Sequence, residues 1–138
     1  MLTMTRRLEF DAGHRLLNHE AKCAHVHGHR YVVEVTLDLT GELDRAGRIV
    51  DFGDVKRVFG GWIDDTLDHG FIANADDPIV GFLREHGQRH VAVPFEPSAE
   101  NLAVWMLGRA AGMLDAPGRR VTSLVVHETP NGLAEARR

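Results

Sequence analysis

The chain has 138 residues with 43% hydrophobic and 26% charged content, a formal net charge of −4 and a single cysteine. This size and composition are typical of one globular domain, residues 1–138, that buries its own core. The negative charge, without any lysine- or arginine-rich block, argues against nucleic acid and membranes as partners and favours a small molecule. One cysteine excludes an internal disulfide, and no N-terminal apolar run is long enough for a signal peptide or a membrane span, so we expect a reducing, cytoplasmic setting.

The first half of the chain shows two strand patterns and then a helix pattern. Extended segments are predicted at about 3–10 and 30–39, and in the second of these Val33, Val35 and Leu37 alternate with polar residues. A turn over "GELDRAG" and a short extended piece, "RIVDF", follow. Asp51 or Asp54 then caps a helix that runs to about Leu67.

The second half predicts helices followed by strands. A short helix is expected near 78–86, and the clearest helix begins at Pro97 and Ser98, carries an apolar stripe and ends at "APG". "RVTSLVVHET" predicts a strand, and "PNG" a turn into a short terminal strand. The order β-β-α-α-β-β predicts an α+β fold, with an antiparallel four-stranded sheet and helices packed on one face.

Three histidines stand at the predicted ends of the first two strands. His27 and His29, two residues apart on one strand, point to the same face and supply half of a zinc site. A catalytic zinc ion usually takes three protein ligands, and His14 at the end of the first strand is the natural third, because antiparallel pairing brings it to the same end of the sheet. The alternative is that these histidines are surface residues of a polar loop.

Three further residues have side chains suited to proton transfer. Cys23 has no apolar neighbours that would make it a core residue, and a nearby zinc ion or imidazolium would favour its thiolate, the form that acts as base or nucleophile. Asp68 and His69 follow a helix as a pair, in which the carboxylate orients the imidazole for a proton relay. The alternatives are an inert thiol and an ordinary loop aspartate.

Glu128 ends the strand "RVTSLVVHET". Its carboxylate can accept two hydrogen bonds from the amino and ring N–H groups of a flat heterocycle. The alternative is an exposed residue at the end of a strand.

Six motifs in order carry a resemblance to a known family: "FDAGHRL", a cysteine separated by three residues from "HGH", "VDFGDVK", "LDHGF", "PSAENLA" and "ETPNG". Together they resemble the 6-pyruvoyl-tetrahydropterin synthase superfamily, and most closely its branch of 6-carboxy-5,6,7,8-tetrahydropterin synthases of queuosine biosynthesis. The resemblance runs from about residue 8 to the C-terminus. The short spacing between Cys23 and the "HGH" motif is similar to the carboxy branch.

The resemblance implies a T-fold (tunnelling fold) whose sheet joins those of neighbouring copies into an oligomeric β-barrel, commonly a trimer stacked as a hexamer. It implies zinc held by His14, His27 and His29, with Cys23 as general base. Asp68 and His69 would complete the proton relay, across a subunit boundary, and Glu128 would anchor the pterin ring. The implied substrate is 7,8-dihydroneopterin triphosphate, with Arg15, Lys22 and Arg30 near enough to contact its triphosphate.

Other functions fit the same residues. A pyruvoyl-forming synthase shares the metal and fold but stops before carbon–carbon cleavage, so release of acetaldehyde distinguishes the two. A zinc hydrolase predicts activity that survives Cys23→Ala. A non-catalytic pterin or zinc binder predicts tight binding without turnover.

Overall fold

The computed structural model describes all residues from Met1 to Arg138. In chain order the strands are β1 (Thr3–His14), β2 (His27–Leu39), β3 (Gly70–Asn74), β4 (His90–Val93), β5 (Arg119–Thr129) and β6 (Gly132–Arg137). The α-helices are α1 (Phe52–Val55), α2 (Gly61–Thr66), α3 (Ile79–Glu85) and α4 (Ala99–Leu114). A π-helical segment, Lys56–Gly60, joins α1 to α2, and a 3₁₀ turn, Lys22–Ala24, precedes β2.

All six strands belong to one mixed sheet with the order β4-β3-β1-β2-β5-β6. The pairs β1–β2, β2–β5 and β5–β6 are antiparallel, whereas β1–β3 and β3–β4 are parallel. β1 pairs with β2 along its whole length but with β3 only over Ala12–His14. The rest of β1 therefore has no strand partner on that side, and β6 leaves a second free edge at the far end of the sheet.

The core lies on one face of the sheet, under the helices. The alternation in β2 is confirmed, since Val33, Val35 and Leu37 are fully buried. From the helical side, α4 contributes its stripe to the same cluster, with Leu102 and Met106 fully buried. Because strand side chains alternate, the opposite face of β1 and β2 is polar, and no helix of the chain covers it.

The predicted helix starts are confirmed by their caps. The Asp51 side chain accepts a hydrogen bond from the Gly53 N–H at 2.7 Å, and Ser98 Oγ accepts one from the Asn101 N–H at 3.3 Å. Each satisfies a backbone donor that the first turn of a helix leaves free.

The α+β class and the packing of helices on one face are confirmed, but the sheet has six strands where four were predicted and is mixed rather than antiparallel throughout. The two missed strands, β3 and β4, have five and four residues and show no alternation of apolar and polar side chains. The predicted extended piece "RIVDF" forms no strand, because the chain bends there into the Asp51 cap of α1. No helix is both long and apolar enough to span a bilayer.

Candidate metal centre and active site

The β1–β2 hairpin brings the three predicted metal ligands together. His14 ends β1 and stands opposite His27, the first residue of β2, while His29 stands opposite Ala12. A side chain at Gly28 would place its Cβ 3.0 Å from the Ala12 carbonyl oxygen, so the close approach of the strands here favours glycine. The antiparallel pairing predicted from the sequence is thus confirmed.

The three imidazole rings form a compact triangle. Ring centroids are 4.6 Å apart for His14 and His27, 5.1 Å for His14 and His29, and 5.0 Å for His27 and His29. The rings meet edge to face, at interplanar angles of 61° to 89°. His14 is 1% exposed, and its ring also meets that of the fully buried Tyr31.

Backbone carbonyls fix the orientation of two of these rings. His14 Nδ1 lies 2.8 Å from the Pro97 carbonyl oxygen, and His27 Nδ1 lies 2.6 Å from that of His25. A carbonyl can only accept, so each Nδ1 carries the proton and each Nε2 keeps a free lone pair. This arrangement is typical of metal-binding histidines, whose second nitrogen donates to a carbonyl or a carboxylate.

Glu128 completes the group, and we call His14, His27, His29 and Glu128 the His–Glu cluster. Its Oε1 atom lies 3.2 Å from His14 Nε2 and 3.0 Å from His29 Nε2, and one ligand atom from each of the four residues lies within 4.8 Å of the others. Neither contact has hydrogen-bond geometry, which leaves both Nε2 atoms buried without a partner.

These atoms fit a zinc ion. Around a tetrahedral zinc with bonds of about 2.0–2.1 Å, neighbouring ligand atoms are roughly 3.3 Å apart, close to the 3.2 Å and 3.0 Å that separate Glu128 Oε1 from the His14 and His29 nitrogens. Imidazole and carboxylate are preferred zinc donors, and a cation would satisfy the two unpartnered nitrogens. Burial lowers the pKa of the His14 and His29 imidazoles below 6.5, so both are neutral at pH 7, as metal binding requires. The cluster can therefore hold a metal ion.

Asp68 and His69, the predicted relay pair, form a separate group at the edge of β1 where β3 begins. His69 Nδ1 donates to Asp68 Oδ2 at 2.9 Å, and Asp68 Oδ1 accepts from the Asp11 N–H at 3.0 Å. The hydrogen bond from the Asp11 N–H, aided by His69, lowers the pKa of Asp68, which keeps the carboxylate charged and able to orient the imidazole. The His69 side chain is 78% exposed, so its Nε2 is open to a partner outside this chain.

His69 has a left-handed backbone, with φ of 57°, and is the one residue other than glycine with a positive φ. Its N–H donates to the Asp11 carbonyl at 2.7 Å, which holds the strained conformation in place. Such strain in a residue with a side chain is concentrated at functional sites.

Cys23 lies in the 3₁₀ turn of the connection between β1 and β2, which we call the Cys23 loop, residues 15–26. Its thiol is free and half-buried, and its carbonyl accepts from the Leu16 N–H at 2.7 Å. Cys23 belongs neither to the His–Glu cluster nor to the Asp68–His69 group. Since β1 ends at one ligand and β2 begins at another, the loop that carries the thiol starts and finishes at the His–Glu cluster.

Two cations considered for the triphosphate already have partners in the chain. Arg15 makes a bidentate ion pair with Asp77, whose side chain is fully buried, and the bond from Arg15 Nε is 2.7 Å long. Arg30 donates to Asp11 at 2.8 Å and to Glu9 at 2.9 Å. Lys22, in contrast, makes no ion pair within the chain.

An open depression of about 460 Å³ has both His29 and His69 in its wall. Its other lining residues include Asp11, Gly13, Gly28 and Arg30. Sequence reasoning missed Asp11 and the carbonyls of His25 and Pro97. Asp11 lies in the quoted "FDAGHRL" motif, but its contribution through backbone atoms leaves no signal in the sequence.

Comparison with known proteins identifies the family of this fold. The model of the 6-pyruvoyl tetrahydropterin synthase family matches residues 3–138. A 6-carboxy-5,6,7,8-tetrahydropterin synthase of Rickettsia bellii is 38% identical over 138 residues, covering 98% of this chain and 99% of that protein. The crystal structure of an uncharacterized protein from Wolinella succinogenes superposes with a TM-score of 0.85 at 26% identity, covering 99% of this chain and 98% of the other. The 6-pyruvoyl tetrahydropterin synthase of Caenorhabditis elegans gives a TM-score of 0.69 at 26% identity, covering 99% and 95% of the two chains.

The chain therefore belongs to the 6-pyruvoyl tetrahydropterin synthase family and has its tunnelling fold, in which one curled sheet carries helices on a single face. The resemblance drawn from the six motifs is confirmed, including its closeness to 6-carboxy-5,6,7,8-tetrahydropterin synthases.

Proposed function

We propose that this protein is a zinc-dependent 6-carboxy-5,6,7,8-tetrahydropterin synthase of queuosine biosynthesis. The reaction converts 7,8-dihydroneopterin triphosphate and water into 6-carboxy-5,6,7,8-tetrahydropterin, acetaldehyde and triphosphate. The observation that carries the proposal is the His–Glu cluster, with two buried, unpartnered Nε2 atoms beside a carboxylate, in a chain 38% identical to a synthase of that name.

In this proposal His14, His27 and His29 hold the zinc ion through Nε2, with their second nitrogens set by the surrounding backbone where the structure shows it. Bound zinc supplies Lewis-acid chemistry, which acidifies the C–H and O–H groups of the substrate's side chain. Buried His14 places the cluster at the end of the apolar core, where the charge on the metal would be screened less by water than in bulk solution.

The proton transfers are assigned to Cys23 and to the Asp68–His69 pair. The Cys23 thiolate takes a proton from the substrate's side chain, and His69, held by Asp68, returns one to the dihydropterin. Electrons flowing into the ring expel triphosphate, and a retro-aldol-like cleavage releases the two-carbon fragment as acetaldehyde. Lys22, exposed on the same loop as the thiol and without an ion pair in the chain, is proposed to bind triphosphate.

Glu128 is proposed to anchor the pterin. Its carboxylate lies beside the ligand nitrogens, where it can accept hydrogen bonds from the amino and ring N–H groups of a pterin whose side chain reaches the zinc ion. Glu128→Ala should raise KM at least about tenfold, the worth of one hydrogen bond to a charged group, with bound zinc unchanged. Loss of zinc by elemental analysis would instead make Glu128 a metal ligand.

We further propose that the site is completed by a second copy of this chain in a trimer-based assembly, stacked as a hexamer. The free edges of β1 and β6 can extend the sheet between copies, and the exposed His69 imidazole has no partner beyond Asp68 within its own chain. Mixing Cys23→Ala and His69→Ala subunits should then restore part of the activity. Complete failure of complementation between folded, mixed oligomers would favour a site within one chain.

The experiment that tests the function is an anaerobic incubation of the zinc-loaded protein with 7,8-dihydroneopterin triphosphate, followed by mass spectrometry and an acetaldehyde trap. Acetaldehyde with a carboxytetrahydropterin, both lost in Cys23→Ala, supports the proposal. Triphosphate release with a pyruvoyl product would assign the chain to the pyruvoyl-forming reaction. Hydrolysis that survives Cys23→Ala would indicate a zinc hydrolase, and binding of the pterin without turnover would indicate a binding protein.

A further inference from the structure

Glu96, just before α4, is a carboxylate with an unusually full set of donors from distant parts of the chain. Its Oε2 accepts from the Leu17 N–H at 2.7 Å, and its Oε1 accepts from Asn18 Nδ2 at 3.1 Å and from Asn74 Nδ2 at 2.9 Å. Leu17 and Asn18 belong to the Cys23 loop, whereas Asn74 ends β3. A single side chain thus ties the start of this loop to the body of the sheet.

The backbone around Glu96 is itself rigidly held. The Glu96 carbonyl accepts from the Ser98 N–H at 2.8 Å and from Asn101 Nδ2 at 3.0 Å, and Ser98 caps α4. The next residue, Pro97, is buried and supplies the carbonyl that orients His14. The same short segment therefore fixes a metal ligand on one side and the Cys23 loop on the other, which suits a support for a reactive group.

The connection continues from Leu17 to the thiol. The Leu16 N–H donates to the Cys23 carbonyl at 2.7 Å, so the beginning of the loop, where Glu96 acts, is bonded directly to the turn that carries Cys23. The first residue of the loop, Arg15, is held separately by buried Asp77. Residues 18–20 and 25–26 are exposed, so the polar ties at the start of the loop, rather than burial in the core, determine where the turn lies.

We propose that Glu96 is a positioning residue that holds the Cys23 loop against the His–Glu cluster, and so sets the place of the thiol in the site. The catalytic importance of this role rests on the function proposed above for Cys23, whereas the hold of Glu96 on the loop does not depend on it. Glu96 touches neither the cluster nor the thiol, and it acts through Leu17 and the Leu16–Cys23 bond.

The test uses Cys23 as its own probe, because it is the only cysteine in the chain. The zinc-loaded protein is treated with iodoacetamide, and the rate of labelling is followed by mass spectrometry in Glu96→Gln and in the matched control Glu85→Gln. Glu85 is exposed at the end of α3 and has no hydrogen-bonded partner. Glu96→Gln should label about tenfold faster, the factor for losing one hydrogen bond to a charged group, because the half-buried thiol is freed with its loop.

Two further measurements distinguish positioning of the Cys23 loop from a general loss of stability of the protein. Asn74→Ala should also speed labelling, and the double variant should label no faster than Glu96→Gln alone, since Asn74 acts through Glu96. In turnover, Glu96→Gln should lower kcat about tenfold with KM within about twofold of wild type, because the pterin contacts are untouched.

Labelling of Glu96→Gln within about twofold of the Glu85→Gln rate would overturn the proposal. If Glu96→Gln does not fold, hydrogen exchange on the wild-type protein decides: the Leu17 amide should be protected, and rapid exchange there would count against the proposal. Faster labelling of Glu96→Gln, combined with no turnover by the wild-type protein, would refute the synthase function and keep the role of Glu96. Normal turnover with unchanged labelling would do the reverse.

Discussion

His14 offers the sharpest test of the metal centre, because its two ring nitrogens have separable roles, one as a hydrogen-bond donor and the other as a candidate metal ligand. Its ring is 1% exposed, its Nδ1 donates to the Pro97 carbonyl at 2.8 Å, and its Nε2 is a buried nitrogen with no partner. His14→Ala removes the ligand and leaves the Pro97 carbonyl unpaired. Without zinc, the unpaired carbonyl alone should cost about 1–3 kcal/mol of unfolding free energy.

Zinc should also stabilise the wild-type protein more than the His14→Ala variant. At a zinc concentration about 100 times its Kd, a ligand that binds only the folded state contributes about 2.7 kcal/mol, or roughly 8 °C in Tm for a chain of this size. The wild-type protein should show this gain, and His14→Ala should show less than about 1 kcal/mol of it, since removing one of three imidazoles weakens binding steeply.

The assay is urea unfolding with and without zinc, together with elemental analysis of the folded protein. The control is His127→Ala, whose imidazole pairs with Glu34 at 2.8 Å and lies on the other face of β5 from buried Val126. His127→Ala should show the same zinc-dependent increase in unfolding free energy as the wild type. If zinc raises the unfolding free energy of His14→Ala as much as that of the wild type, His14 is not a metal ligand.

Three other changes test the surroundings of the site. Asp77→Asn should cost about 3 kcal/mol at pH 7, because it breaks a largely buried ion pair with Arg15. That pair holds the pKa of Asp77 below 3.8, so its contribution is present above the unfolded value and is lost as the pH falls further; a stability difference from wild type that stays constant in urea titrations from pH 5 to 2 would contradict this. His69→Gly should be about 1 kcal/mol more stable than His69→Ala in thermal unfolding, because only glycine adopts a φ of 57° without strain, and equal stabilities would argue against a strained backbone. Ser98→Ala should cost about 1 kcal/mol by the same measurement, because it removes the cap of α4, and no loss would show that the cap contributes little.

The sequence could predict what depends on local pattern. The alternation of Val33, Val35 and Leu37 fixed both the existence of β2 and its buried face, since side chains two residues apart on a strand must share a side. The same rule put His27 and His29 together, and antiparallel pairing brought His14 to them. Each of these inferences needs only the period of a strand and the direction of a hairpin.

The short strands β3 and β4 could not be predicted in this way. Their residues pair in parallel with strands distant along the chain, and the backbone hydrogen bonds that define them exist only once β1 is in place. The role of Glu96 is hidden for the same reason, because its donors come from residues 17, 18 and 74.

The sequence by itself thus determined the fold class, the family and the residue types of the site, because these are recorded in spacing and side-chain chemistry. Tertiary structure alone decided how those residues are oriented. The Pro97 and His25 carbonyls determine which nitrogens of His14 and His27 face the metal. The Asp11 N–H holds Asp68 of the relay pair, and the folded chain brings the Glu128 carboxylate next to His29 in the His–Glu cluster. Backbone carbonyls and amides are the same in every residue, so only the folded chain shows which of them face a side chain.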